Sequence, residues 1–320
     1  MTAGASVEDR ISAASELFRQ NNLPAAEAAF EMILEDHPKE FRAMHMLGAI
    51  AMGQQRYTDA VRHLQVARAT HSYPEIHYDL GSALLHAGRV EDALASFNAC
   101  IDLAPDFVYA LFARGNILMR SAGKMEDGLA DFNKIVEVAP DFLPAGYAKG
   151  NALMVLGRLD ESLAAYDATL RLKPDFLEVL NDRGHVLLLL KRHDDAMASF
   201  EAALAFNPQF VPAMSNKGAA LMDVGKHEEA LAVFDHALTT WPNFFQVLAN
   251  RGEALLKLDR AEEALKAFDT ALENRHRFVG GMVGRVKALR KLGRAADAEE
   301  ALTQLTTAYP GFPVANLDRA

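Results

Sequence analysis

The chain has 320 residues and a net charge of −10, and half of its residues are apolar, which is enough for a large buried core. An acidic chain lacks the net basic face that binding to nucleic-acid phosphates requires, so a nucleic-acid partner is not expected. Cys100 is the only cysteine and no apolar run approaches the length of a membrane helix, so we expect a cytoplasmic protein with no membrane partner. Residues 1–6 form a short N-terminal extension, and no signal peptide is recognisable near the acidic pair Glu8–Asp9.

One short sequence motif recurs along the chain at a nearly fixed interval. It reads IDLAPDF at 101–107, VEVAPDF at 136–142 and LRLKPDF at 170–176, with looser copies at 204–210 and 238–244. Its successive prolines are 35, 34, 34 and 34 residues apart, which is a period typical of stacked repeat proteins. Placing each proline at position 32 predicts nine repeats and a C-terminal tail: 7–40, 41–73, 74–107, 108–142, 143–176, 177–210, 211–244, 245–278, 279–312, and the tail 313–320.

Each repeat is predicted to fold as two helices. In the second half of repeat six, Ala196, Phe200 and Ala203 recur at spacings that place them on one helix face. A glycine such as Gly225 separates the two halves, and glycine tolerates the left-handed conformation that ends a helix. The proline then stops the second helix, and an aspartate follows it as a candidate N-cap of the next helix. These aspartates are Asp106, Asp141 and Asp175.

Small and bulky residues recur at fixed positions of the repeat. Position 8 is glycine in seven repeats, position 20 is mostly alanine, and position 24 is aromatic in seven repeats. This pattern, together with the proline at position 32, resembles the tetratricopeptide repeat family over all nine repeats, 7–312. The resemblance implies an all-α solenoid in which antiparallel helix hairpins stack into a right-handed superhelix, with the first helices lining a concave groove. Repeat two lacks its proline, and repeat four has one extra residue.

The recurring motif ends with a phenylalanine in seven repeats. We interpret these rings as apolar side chains that pack at the start of the next helix, similar to a hydrophobic staple. They are Phe107, Phe142, Phe176, Phe210, Phe244, Phe278 and Phe312. In the last repeat, positions 21 and 28 change from apolar residues to Glu299 and Thr306, which predicts the polar outer face of a terminal repeat.

The outer face of the first helices is the candidate binding surface. Positions 4, 8 and 11 are expected to be buried, so positions 2, 5, 9, 12 and 13 face outward. In repeats three to six this face is rich in aromatic, methionine and asparagine residues, which offer contact area, adaptability and hydrogen bonds to a peptide backbone. The candidate partner-binding residues are Tyr78, His86, Tyr109, Phe112, Asn116, Met119, Arg120, Tyr147, Asn151, Met154, Asn181 and His185. The alternative is that these side chains pack on one another or on a second copy.

A ladder of basic residues occupies position 7, opposite carboxylates at position 25. We favour salt bridges between repeats, and a stripe that binds phosphate or acidic groups is the alternative. The basic residues are Arg114, Lys149, Arg183, Lys217, Arg251 and Arg285, and the carboxylates are Asp167, Glu201, Asp235 and Asp269.

The sequence offers few candidate catalytic or metal-binding residues. The sequence contains no phosphate-binding loop, nucleophile elbow or metalloprotease motif. Histidines concentrate between 37 and 86, but no thiol or well-placed carboxylate completes a metal site, so neither metal nor cofactor is expected. Cys100 stands at a position that is alanine in other repeats, and it is predicted to be a core residue.

These observations favour a non-catalytic scaffold that binds an extended or helical segment of a protein or peptide partner along the groove. Two alternatives remain open. One is the substrate-recognition arm of an enzyme, because similar repeat arrays precede the catalytic domain in the O-linked N-acetylglucosamine transferase family. The other is a scaffold that self-assembles as a homo-oligomer.

Overall fold

The structure is a computed structural model, and it describes residues 6–313. Over this range the chain forms eighteen helices and no strand, so the predicted all-α fold is confirmed. Most of the N-terminal extension, residues 1–5, and most of the tail, residues 314–320, lie outside the described part of the chain. None of the described helices is long and apolar enough to cross a membrane.

The helices fall into two compact units that divide after Leu156. The first unit contains α1 Val7–Arg19, α2 Leu23–Asp36, α3 Phe41–Gly53, α4 Tyr57–Thr70, α5 Pro74–His86, α6 Val90–Leu103, α7 Val108–Met119, α8 Met125–Val138 and α9 Leu143–Val155. The second unit contains α10 Leu159–Leu172, α11 Leu177–Leu189, α12 His193–Phe206, α13 Val211–Asp223, α14 His227–Thr240, α15 Phe245–Lys257, α16 Ala261–Asn274, α17 Val279–Lys291 and α18 Ala295–Ala308. The division falls within the predicted repeat 143–176, between its two helices.

Each unit is a stack of helix hairpins. In the first unit α1 packs on α2, α3 on α4, α5 on α6 and α7 on α8, and each hairpin also contacts the next one along the chain. In the second unit the hairpins are α11–α12, α13–α14, α15–α16 and α17–α18, packed in the same manner. A single hairpin cannot cover both of its sides, so neighbouring hairpins bury them mutually, as expected for a solenoid.

The core is built from the small and bulky residues that the sequence pairs. A Cβ atom at Gly81 would lie 2.6 Å from Cε1 of Phe97, and one at Gly252 would lie 2.6 Å from Cζ of Phe268. Both phenylalanines are fully buried. The glycines therefore let each first helix approach the ring that its partner helix carries, which confirms the predicted packing of small against large.

The turn within each hairpin needs a left-handed residue. Gly88 and Gly225 both have φ of +78°, which confirms the role predicted for the turn glycines. Repeats that lack a glycine place another residue there, such as Lys191 with φ of +61° and Asp259 with φ of +60°.

The predicted N-caps of the first helices are wrong by one residue. The cap of α7 is Phe107, not Asp106, and the cap of α9 is Phe142, not Asp141; neither ring can accept a capping hydrogen bond. The same shift, from Asp175 to Phe176, occurs at α11. The phenylalanine side chains are half-buried in the joints, so packing of the ring, rather than a side-chain cap, fixes where each helix begins. Asp106 instead forms an ion pair with Lys134 at 3.0 Å.

Candidate partner-binding surface

The predicted binding residues lie on four first helices. Tyr78 and His86 are on α5, whereas Tyr109, Phe112, Asn116 and Met119 are on α7, with Arg120 as its C-cap. The helix α9 carries Tyr147, Asn151 and Met154. These ten residues belong to the first unit. Asn181 and His185 lie on α11 in the second unit.

Aromatic contacts join the predicted anchors to the phenylalanines of the joints. The ring of Tyr78 lies 5.4 Å from that of Phe107, and the ring of Phe112 lies 5.4 Å from that of Phe142. Both anchors are half-buried, and burial raises the pKa of the Tyr78 hydroxyl. Two of the predicted anchors thus also hold successive repeats together, with one side of each ring left near the surface.

Tyr109 is the most exposed of the predicted aromatic residues. Its side chain is 58% exposed, and its ring lies 6.2 Å from Tyr78 and 5.8 Å edge-on from Phe142. These neighbours hold the Tyr109 ring on the surface in a defined orientation. An orientated, largely solvated ring offers contact area to a partner at a small cost in side-chain entropy.

The polar and sulfur-containing residues of this surface are more varied. Asn116 is exposed, and its amide donates to the carbonyl oxygen of Phe112, one turn earlier in α7, at 2.8 Å. Met119, Asn151 and Met154 are half-buried. At the far end of the first helices His86 is exposed and stacks on Tyr57 with ring centroids 5.0 Å apart, and Arg120 is exposed.

Asn181 is placed differently from the other predicted residues. It is only 8% exposed, its amide donates to Asp182, and its oxygen accepts a hydrogen bond of 2.9 Å from the amide of Asn216 on the next first helix. The structure therefore gives Asn181 a role between repeats and does not place it on the exposed face. His185 is exposed.

The Asn181 contact belongs to a recurring polar ladder that sequence reasoning missed. Position 5 of one repeat bonds position 6 of the next, as in His45 Nε2 with Asp79 Oδ2 at 2.6 Å. Asn250 donates to Ser215 Oγ in the same way, at 3.5 Å. The signal available in the sequence is a polar residue at position 5 followed, 34 or 35 residues later, by one at position 6.

The basic ladder at position 7 confirms the salt-bridge interpretation in the second unit. Arg183 contacts Asp167 at 2.7 Å, and the cation is about a quarter exposed, with its stem lying along the joint. Three further pairs repeat this geometry: Lys217–Glu201 at 2.9 Å, Arg251–Asp235 at 2.6 Å and Arg285–Asp269 at 2.8 Å. Each cation is thus engaged with a carboxylate of the preceding second helix.

Arg114 departs from this ladder. It bonds both carboxylate oxygens of Asp131, at 2.9 and 2.6 Å, and also the side-chain oxygen of Asn98. Asp131 is only 4% exposed, and its carboxylate raises the pKa of the Arg114 guanidinium. Position 23 is small or apolar in most other repeats, so this buried carboxylate is peculiar to repeat four.

Neither the acidic residues nor the histidines form a metal-binding cluster in the part of the chain that the structure describes. Among residues 6–313 no three His, Cys, Asp or Glu side chains lie together in a way that would hold a metal ion. Cys100 is fully buried, which confirms its predicted core position, and burial raises the pKa of its thiol to about 11. The thiol is therefore protonated, and unreactive as a nucleophile, near neutral pH.

Comparison with known proteins identifies the family to which this architecture belongs. The sequence profile described as Tetratricopeptide repeat matches residues 11–75, 46–106, 78–141, 147–209 and 216–275, which together span most of the chain. The chain belongs to the tetratricopeptide repeat family. It therefore has the fold of a protein–protein interaction scaffold, and proteins built only from such repeats are generally non-catalytic. No curated protein matches the chain.

Three solved structures illustrate the fold. A tetratricopeptide repeat protein from Parabacteroides merdae is 19% identical, with a TM-score of 0.54 over 78% of this chain and 98% of its own. PilW, a type IV pilus biogenesis factor, is 21% identical, with a TM-score of 0.59 over 67% of this chain and 98% of its own. The Cut9–Hcn1 hetero-tetramer of the APC/C gives 18% identity and a TM-score of 0.60 over 94% of this chain and 59% of the other. At these identities the similarity concerns the fold.

Proposed function

We propose that the chain is a non-catalytic scaffold and that the outer face of α5, α7 and α9 binds an extended or helical segment of a protein partner. The observation that carries the proposal is the exposed ring of Tyr109, held between Tyr78 and Phe142. Exposed aromatic residues in a defined orientation are typical of the energetically dominant part of a protein interface.

The chemistry of this face indicates what the partner segment presents. Tyr78 contacts Tyr109, and Tyr109 and Phe112 both contact Phe142, so Tyr78, Tyr109 and Phe112 form a row along two successive repeats. The partner segment therefore needs apolar side chains spaced to meet this row. Asn116 and Arg120 are exposed on the same helix, one turn apart, and supply polar groups for the partner's backbone or for a carboxylate. We expect an affinity of about micromolar strength, because a flexible segment loses conformational entropy when it binds.

The known structures support the class of function and no specific partner. Cut9 was crystallised in a hetero-tetramer with Hcn1, so a chain of similar fold engages another protein. The identity of 18% carries no information about which surface or sequence is used here. The cytoplasmic location, the absence of a nucleic-acid or membrane partner, and the alternative of an enzyme's recognition arm stay predictions.

The test is affinity capture from cell lysate with two variants that leave the core intact. The double variant Tyr109→Ala/Asn116→Ala removes two exposed side chains of α7 and is expected to weaken capture of the partner at least about tenfold. Val224→Ala is the matched control, because Val224 is similarly exposed (49%) but lies in the second unit, at the end of α13 and away from the joints. Partners identified by mass spectrometry that are lost only with the double variant support the proposal.

Direct binding then decides the outcome. A segment of the captured partner is titrated against wild type and both variants by calorimetry, with circular dichroism to show that each variant is folded. Equal affinities for wild type and the double variant would show that the first-helix face of the first unit is not the binding surface.

A further inference from the structure

The joints between repeats form a continuous edge on each unit. We define this joint edge as the last turn of every second helix together with the loop that leads to the next first helix. In the first unit, Phe41, which directly follows one joint as the first residue of α3, lies 4.1 Å from His71 and 5.4 Å from Tyr73 of the next joint, measured between ring centroids. In the second unit, Arg277 donates to the carbonyl oxygen of Ala308 at 2.8 Å. Neighbouring joints therefore lie side by side.

Large apolar side chains are exposed on this edge, which sequence reasoning did not identify. Position 30, the last residue of the second helix, is apolar in four successive repeats, and these residues are Leu103, Val138, Leu172 and Phe206. Leu103 is 50% exposed, whereas Leu172 and Phe206 are 57% and 56% exposed. Exposed apolar residues that recur at one place in a repeat form a row, and such a row is typical of an interaction surface.

The two units carry opposite charge on their joint edges. The exposed carboxylates of the first unit's edge are Glu35, Asp36, Asp102, Asp106, Glu137 and Asp141. Only two exposed cations, Lys39 and Arg68, accompany them. Two of the carboxylates already have cationic partners within the unit, because Asp36 pairs with Arg10 at 2.6 Å and Asp106 with Lys134 at 3.0 Å. The exposed cations of the second unit's edge are Arg171, Lys173, Arg275 and Arg277, accompanied by Asp175 and Glu273. The edge of the first unit is therefore acidic and that of the second unit is basic.

Helix stability does not account for the acidic edge. Glu35, Asp102 and Glu137 lie in the last turns of α2, α6 and α8, where the partial negative charge of the helix end disfavours a carboxylate. Acidic residues in the first turns of the same second helices, such as Glu91, have the favourable position. The carboxylates of the edge are thus placed against the local electrostatic preference, which favours a role in contact with another molecule.

We propose that the joint edges mediate self-association, with the acidic edge of one copy of this chain packed against the basic edge of a second copy. Both complementary surfaces are present on every chain, so a second copy satisfies the charge match without any other partner. The apolar rows are Leu103 and Val138 on one side and Leu172 and Phe206 on the other. Charges of the same joints flank them, namely Asp102, Glu137 and Asp141 on the acidic edge and Arg171 and Lys173 on the basic edge. Desolvation of the apolar side chains supplies affinity, and the charges supply specificity and a fast encounter.

The charge on the two edges makes the association sensitive to salt. The screening length falls from about 10 Å at 0.1 M salt to about 3 Å at 1 M, so attraction between exposed charges is largely lost over this range. We expect the dissociation constant to rise about tenfold between these two conditions.

Reversal of charge on one edge at a time tests the pairing. The acidic-edge variant is Asp102→Lys/Glu137→Lys/Asp141→Lys, which takes the net charge of the exposed residues of that edge from −4 to +2. The basic-edge variant is Arg171→Glu/Lys173→Glu, which takes the net charge of the other edge from +2 to −2. Each variant alone opposes like charges, so we expect the dissociation constant measured by sedimentation velocity to rise at least about tenfold. An equimolar mixture restores opposite charges at every contact and is expected to re-form the wild-type assembly.

A matched control separates edge pairing from a general effect of net charge. Glu91→Lys/Glu126→Lys/Asp127→Lys makes the same change in charge as the acidic-edge variant, at the opposite ends of α6 and α8, about 15 Å away along each helix. This variant is expected to associate as wild type does. All the substituted residues are exposed, and thermal melting monitors the fold of each variant.

Several outcomes would overturn the proposal. A wild-type chain that stays monomeric at its highest soluble concentration in low salt contradicts it, and so do edge variants that associate normally. Failure of the mixture to restore association also refutes the pairing of the two edges. Loss of partner capture by the Tyr109→Ala/Asn116→Ala variant concerns a different surface and leaves the self-association result unaffected.

Discussion

The contact between Gly81 and Phe97 tests whether packing of small against large residues holds the hairpins together. Alanine is a better helix former than glycine by about 1 kcal/mol, so Gly81→Ala would stabilise α5 if the space beside it were open. The added Cβ would instead lie 2.6, 2.8 and 3.0 Å from three carbons of the Phe97 ring. That ring is fully buried and has no room to withdraw. Overpacking of this kind costs about 1–3 kcal/mol, so after the helix-propensity gain we expect a net loss of about 1 kcal/mol, and at most about 2 kcal/mol.

The last repeat suggests how the loss is relieved. There Val286 stands where most repeats have glycine, and Leu302 replaces the aromatic residue at position 24. Val286 is fully buried and packs in the same cluster as Leu302. In repeat nine a larger residue at position 8 is thus accommodated beside a smaller one at position 24. In repeat two a Cβ at Gly48 would still lie 2.5 Å from Cγ of Leu64, so the leucine must also turn away from the first helix. The double variant Gly81→Ala/Phe97→Leu should lose less stability than the sum of the single variants, by about 1 kcal/mol.

Urea unfolding followed by circular dichroism measures these free energies, and the same unit supplies the control. A Cβ at Gly53, at the end of α3, would meet no atom within 4 Å, so Gly53→Ala should gain up to about 1 kcal/mol from helix propensity alone. If Gly81→Ala stabilises the chain as much as Gly53→Ala does, or if the double variant is additive, the steric account of the repeat pattern is incorrect.

Three further predictions concern a turn, a buried ion pair and a histidine. Lys191 holds φ of +61° where other repeats have glycine, so Lys191→Gly should raise the free energy of unfolding in urea by about 0.5–1 kcal/mol. Asp131→Ala should cost about 3 kcal/mol by the same assay, because it breaks a buried pair with the partly exposed Arg114, and Arg114→Met should recover part of the loss in the double variant. Burial lowers the pKa of His77 from its ordinary value of 6.5, so the folded state favours the neutral ring. The contribution of the neutral ring to stability is present above pH 6.5 and is lost as the pH falls. The urea concentration at the unfolding midpoint should therefore be lower at about pH 5 than at about pH 7, and this decrease should be smaller in His77→Gln. The argument about the turn would be contradicted if Lys191→Gly left the free energy of unfolding unchanged. The argument about the ion pair would be contradicted if the effects of the Asp131 and Arg114 substitutions simply added. The argument about His77 would be contradicted if His77→Gln kept the wild-type dependence of the urea midpoint on pH.

The sequence predicts the core well because its determinants are steric and recur in every repeat. Gly81 and Phe97 are 16 residues apart, and the same pair appears in most repeats, so chance variation is averaged out. The salt bridge of Arg183 with Asp167 was predictable for the same reason, since both positions keep their charge through several repeats. A contact that every repeat needs leaves a periodic signal.

Details that depend on the competition between groups were not predictable. Asp106 is a good N-cap by intrinsic preference, but the ring of Phe107 fixes the chain one residue later, and the aspartate contacts Lys134 instead. Asn181 has the same position in its repeat as Phe112 and Tyr147, yet it is buried and accepts a hydrogen bond from the side chain of Asn216. Burial in these cases depends on one particular neighbour, which a pattern averaged over repeats does not contain.

Stability and recognition therefore draw on different positions of the repeat. Positions 8, 20 and 24 are nearly uniform because a change at one of them requires its neighbours to repack, as the Gly81–Phe97 contact illustrates. Repeat one, where Ala14 and Phe30 are both fully buried, shows that such repacking occurs. The last turn of the second helix and the loop after it are free to vary, and there the first unit has carboxylates and the second unit has cations. Asp102 and Arg171 occupy the same position of their repeats with opposite charge. The packing of the hairpins does not require this difference, so these positions are available for the self-association that we propose for the joint edges.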